Sequence, residues 1–115
     1  MVNVMIDWNR VAELRDEIGP DDFGEVVELF LEEVDEVVAR LEGGVAKDQF
    51  EPELHFIKGS ALNLGFSQLS TLCADGEKRA AQGTFQPDEV GNVVSAYKGS
   101  RAEFLKELSE RFCEA

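Results

Sequence analysis

Apolar residues recur along this chain at three- and four-residue steps, and strand-like alternation is nowhere sustained. The clearest run spans 21–42, where Phe23, Val26, Val27, Phe30, Val34, Val37, Val38 and Leu41 form one stripe. The acids Glu25, Glu28, Glu32, Glu33 and Asp35 mostly fall elsewhere around that helix, and Gly43-Gly44 ends it. A shorter helix is predicted before it, over 7–18, with Asp7 as N-cap, Val11, Leu14 and Ile18 as its apolar face and Gly19-Pro20 as its stop. Met5, Ile6 and Trp8 flank that cap and are placed to fold back onto the end of the molecule.

A third helix starts between 48 and 52 and runs to 64. Its start depends on Pro52, since proline is tolerated in a first turn but not further in. Gly65 punctuates the chain, and a fourth helix over 66–82 carries Leu69, Leu72, Cys73, Gly76 and Ala80. The segment 83–87, Gly-Thr-Phe-Gln-Pro, reads as a linker to a last helix over 88–113, with Val90, Val93, Val94, Tyr97, Phe104, Leu105, Leu108 and Phe112 as its stripe. Four long amphipathic helices with short connections bury their stripes best as an all-α, up-and-down four-helix bundle. The short N-terminal helix would cap one end.

The length of 115 residues fits one domain spanning 1–115. The chain begins with Met1 and ends in a patterned helix, as a complete small protein would, although an excised domain of a larger kinase would share that pattern. With 43% hydrophobic and 30% charged residues the composition is that of a globular protein. No apolar run approaches the roughly 20 residues of a membrane span, and the first six residues lack the basic region of a signal peptide. Cys73 and Cys113 lie far apart, without metal-type spacing, and read as thiols in a reducing compartment. The expected location is the cytoplasm. The net charge of −13, from 24 acidic and 11 basic residues, disfavours nucleic acid and favours partners with basic surfaces.

The chain has one histidine, His55. Leu54, Ile57, Ala61 and Leu64 share one side of the third helix; at roughly 100° per residue His55 points roughly 140° from the centre of that stripe, toward solvent. An incidental surface histidine would fall in the same place. Gly59 lies one turn on along the same face, at a cost of about 0.8–1 kcal/mol relative to alanine. It leaves the imidazole open on that side, and a tolerated glycine or a local kink is the competing reading. Lys58 lies on the flank, where its ammonium can reach a charge added to the ring. Phe56 and Leu62 flank the exposed face and could form an apolar docking rim, though single exposed apolar residues are ordinary. One histidine and two distant cysteines disfavour a transition-metal site, and no G-x-x-x-x-G-K-[ST] loop supports nucleotide binding.

The run His55-Phe56-Ile57-Lys58-Gly59-Ser60-Ala61-Leu62-Asn63-Leu64-Gly65 resembles the signature of histidine-containing phosphotransfer (HPt) domains: a histidine, two residues, Lys-Gly-Ser, a small residue, then Leu-Gly. The likeness continues into Leu69, Leu72-Cys73 and Glu77-Lys78-Arg79, and helix order and length agree over most of the chain. The resemblance implies a phosphoryl group carried on His55 at Nε2, taken from the aspartyl phosphate of one receiver domain and passed to the aspartate of another. It implies that Lys58 offsets phosphoryl charge, that Gly59 gives the receiver access, and that Glu77 accepts the Nδ1–H bond and so orients the ring. It further implies Mg²⁺ on the partner receiver and no cofactor on this chain. The partners it implies are response regulator receivers and a hybrid histidine kinase, with no turnover by the chain itself.

Two residues depart from the family pattern. Gly76 stands where a larger apolar residue is usual, which predicts a loosened helix beside Glu77. Pro52, three residues before His55, sets the histidine near its helix start, where a positive helix end favours phosphate. The expected function is that of a phosphorelay intermediate. The competing readings are a non-phosphorylated helical adaptor that docks to a receiver or kinase, and the phosphoacceptor domain of a kinase. The polar outer faces of the helices favour a monomer.

Overall fold

The computed structural model describes residues 5–111 and is all-α, with no strand among the described residues. Five helices follow one another: α1 (Trp8–Ile18), α2 (Pro20–Gly43), α3 (Phe50–Leu64), α4 (Ser67–Ala81) and α5 (Val90–Arg111). Single 3-10 turns, Lys47–Gln49 and Pro87–Glu89, lead into α3 and α5. α2 packs on α3, α3 on α4, α4 on α5, and α5 back on α2, while α1 rests on α2 and α3.

The helix ends follow local chemistry. Asp7 accepts the backbone N–H groups of Asn9 and Arg10 through its side chain and so caps α1, an interaction worth about 1 kcal/mol. Gly19, at φ +101°, stops α1, and Pro20 opens α2 at the first helical position. α3 ends in a left-handed turn at Gly65, φ +80°, with Phe66 N–H returning to the Ala61 carbonyl at 2.8 Å. A Cβ at Gly65 would lie 2.7 Å from the Asp7 carbonyl, so glycine is also what lets the start of α1 approach. Asp7 N–H donates to the Gly65 carbonyl at 2.7 Å across that junction.

The core gathers one stripe from each helix, including Val27, Leu31 and Val34 from α2, Leu54, Ile57 and Leu64 from α3, Leu69 and Cys73 from α4, and Val93, Tyr97 and Phe104 from α5. Burial departs from the predicted stripes most clearly on α2 and α5. Leu31 is buried where Phe30 is only half-buried, and Leu105 is 40% exposed. Phe112 and Cys113 lie outside the described residues. Trp8 stacks on Phe104 with ring centroids 5.8 Å apart, beneath the Arg111 guanidinium, and Ile6 is buried, which fastens α1 to the bundle end. The Tyr97 hydroxyl donates to Asp35 at 2.5 Å, and Arg40 pairs with Glu53 through two bonds of 2.8 and 3.1 Å. These polar ties lock α2 to α5 and to α3.

Phe85 changes the meaning of the linker. Its ring is buried, meets Phe50 edge-on at 5.0 Å and lies under the Arg79 guanidinium. The linker 83–87 between α4 and α5 is exposed at its other positions but contributes Phe85 to the core.

Candidate functional site

α3 begins at Phe50, which places Pro52 in its first turn and His55 in its second. The apolar stripe Leu54, Ile57, Ala61 and Leu64 is buried against the bundle, so the opposite face is held toward solvent. His55 stands on that face with 67% of its side chain exposed. Gly59 follows on the same side, and a Cβ built there would meet nothing within 4 Å. Phe56 and Leu62 are exposed at 39% and 57%.

α4 supplies the second half of the site. Glu77 Oε2 lies 2.7 Å from His55 Nδ1, and Oε1 of the same carboxylate lies 2.7 Å from Lys58 Nζ. The Lys58 ammonium holds the Glu77 carboxyl below its ordinary value, with the His55 hydrogen bond assisting against partial burial. An ionised carboxylate can only accept, so Nδ1 is the donor in this bond, and in the neutral ring that places the lone pair on Nε2. The three side chains thus form a chain: imidazole, carboxylate, ammonium.

Gly76 explains how α4 comes close enough. A Cβ there would stand 3.1 Å from Phe85 Cε1 and 3.2 Å from Leu54 Cδ1, so a larger residue would hold the helices apart. α4 runs unbroken from Ser67 to Ala81 through Gly76. The glycine is a packing contact. One turn before Glu77, Cys73 is wholly buried. Burial pushes its thiol up to about 12, with Glu77 adding to the effect and Lys58 opposing it.

The structure brings His55, Lys58, Gly59 and Glu77 together. Helical periodicity points to the first three, whereas Glu77, twenty-two residues after His55, has no local signal in the sequence and is indicated by the family resemblance alone. Among the described residues, no group of three or more His, Cys, Asp or Glu side chains is placed to hold a metal ion, and no helix is long and apolar enough to cross a membrane.

The family model of the Hpt domain matches residues 25–112, which takes in α3, α4, α5 and most of α2 but leaves α1 outside. No match was found among curated proteins or among solved structures.

Proposed function

The chain belongs to the Hpt domain family, whose members take part in histidine phosphotransfer in two-component signalling, and we propose that it works as a phosphorelay intermediate with His55 as the carrier. The observation that carries this reading is the exposed imidazole whose Nδ1 is engaged by Glu77 at 2.7 Å, with the unobstructed Gly59 one turn on along the same helix.

In the proposed step a receiver domain docks over Gly59, with Phe56 and Leu62 as the apolar rim. The Nε2 lone pair attacks phosphorus as the bond from phosphorus to the receiver's aspartyl oxygen breaks, returning the aspartate as a carboxylate. Nδ1 keeps its proton, so positive charge grows on the ring, facing the Glu77 carboxylate, an arrangement that stabilises an imidazolium. Lys58 offsets charge on the phosphoryl oxygens. Phosphoryl transfer asks mainly for alignment and charge stabilisation, and the receiver supplies the Mg²⁺ and the acceptor carboxylate. The reverse step passes the group to a second receiver. The chain acts as a phosphocarrier without turnover of its own, in the cytoplasm, as a monomer.

The test is incubation with a phosphorylated receiver domain. Label should appear on the chain, be labile to acid as an N–P bond is, and be absent from His55→Gln. A chain that binds the receiver but takes no label is an adaptor. Label retained by His55→Gln would refute the site.

A further inference from the structure

Glu77 divides its carboxylate between two partners, His55 Nδ1 and Lys58 Nζ, each at 2.7 Å. The cation suited to a phosphoryl group on His55 is therefore already engaged while the ring is bare. Lys58 sits three residues after His55 on α3, on a neighbouring position of the helix surface, with 28% of its side chain exposed. Glu77 approaches the ring from its Nδ1 edge, whereas a group carried on Nε2 lies at the other edge.

On the basis of the carrier reading above, we propose that Glu77 stores the Lys58 ammonium while His55 is bare and yields it to the phosphoryl group when His55 is phosphorylated, so that one lysine takes two positions in each cycle. A phosphoryl group brings nearly two negative charges against one on the carboxylate, and attraction scales with charge. A lysine is suited to this exchange because its ammonium is a compact charge on a flexible four-carbon stem.

One motion then has two electrostatic effects. Lys58 reaches the phosphoryl oxygens, and Glu77, no longer neutralised, faces the ring just as positive charge develops there. When the phosphoryl group departs, the ammonium returns to the carboxylate, which favours discharge. Storage keeps the two directions of transfer closer in energy than a lysine reserved for the phosphoryl group would. In this scheme Glu77 is a positioning residue for the lysine as well as for the histidine.

The experiment uses the ¹⁵N-labelled full chain and phosphoramidate, a small donor that needs no docked protein. Its P–N bond breaks as the Nε2–P bond forms, and ammonia leaves. The Lys58 ammonium resonance is assigned by its loss in Lys58→Met. In the bare protein this resonance should be protected, and Glu77→Gln should abolish the protection. After phosphorylation a shifted, protected resonance should be present in both proteins. Labelling rates give a second readout: Lys58→Met should slow labelling by a factor about fivefold larger in the Glu77→Gln background, the scale of one partly exposed ion pair that no longer has to be given up. A resonance tied to Glu77 in both states, or equal factors in both backgrounds, overturns storage and release while leaving the carrier reading intact. Absence of label on His55 overturns the carrier reading, and this inference with it.

Discussion

Gly76 and Phe85 meet with no room for a side chain between them: a Cβ on Gly76 would lie 3.1 Å from Phe85 Cε1, and Leu54 Cδ1 closes the other side at 3.2 Å. Gly76→Val must therefore shift α4 or the Phe85 segment. Overpacking of this kind costs about 1–3 kcal/mol, read as a lower urea midpoint at unchanged m. Because Glu77 is the next residue, the same shift should draw its carboxylate away from His55 and slow phosphotransfer. Wild-type stability and transfer rate together would show that Phe85 and Leu54 give way freely.

Much of this arrangement is legible in the sequence, because the helices of the bundle are marked by local rules. Asp7 caps α1, Gly19-Pro20 and Gly65 break the chain where it turns, and the three- and four-residue spacing selects the buried face of each helix. What escapes is set by tertiary packing. Leu31 and Phe30 are adjacent on α2, and periodicity alone cannot decide which of them is the more deeply buried. Phe85 sits in a Gly-Thr-Phe-Gln-Pro segment with the composition of a loop, and only the gap left by Gly76 makes it a core residue. The site divides in the same way. His55, Lys58 and Gly59 lie within one turn of a single helix, whereas Glu77 reaches them across the α3–α4 contact.

Gly59 is exposed on α3, and a Cβ built there meets no other part of the protein within 4 Å. Gly59→Arg is therefore expected to fold normally, and to gain a few tenths of a kcal/mol or more from helix propensity. The long side chain would stand in the path of a receiver approaching His55. Transfer from a phosphorylated receiver should slow by on the order of a hundredfold, the loss expected when reacting groups are misplaced by about an ångström or more. Labelling by phosphoramidate should change little. Equal slowing with both donors would show that the arginine acts on the ring and not on docking.

The Cys73 thiol is wholly buried and pushed up to about 12 from an ordinary value of 9.0. The thiolate is the reactive form. In a Cys113→Ser background, alkylation of the native chain at pH 8 should thus be slower than that of the unfolded chain by on the order of a thousandfold. The linkage has a definite sign. A thiol whose folded value is raised contributes stability below the unfolded value, and that contribution is lost as pH rises from about 9 through about 12. Cys73→Ala should flatten the alkaline limb of the stability profile. Rapid alkylation of the native protein would mean that α4 opens far more readily than its packing suggests.

Arg79 joins α4 to the segment that carries Phe85: its guanidinium pairs with Glu89 and lies over the Phe85 ring. Glu89 also accepts the Gln86 backbone N–H at 2.9 Å, closing a capping box at the start of the turn into α5. The hydrogen bond from Arg79, followed by that from Gln86, holds the Glu89 carboxyl at about 2, below its ordinary 4.5. A carboxylate with a depressed folded value contributes stability above the unfolded value, and that contribution fades as pH falls from 4.5 through about 2. A ¹³C carboxyl titration should find the Glu89 midpoint near about 2 in the wild type and closer to 4.5 in Arg79→Gln, where the Gln86 bond alone remains. That variant should also lose less stability than wild type between pH 4.5 and 2. Since the same pair anchors Phe85 against Gly76, the acid limb should be accompanied by a change in the aromatic signals of Phe85 before the global transition. A Glu89 midpoint already near 4.5 in the wild type would show that the pair is too loosely held to anchor the segment.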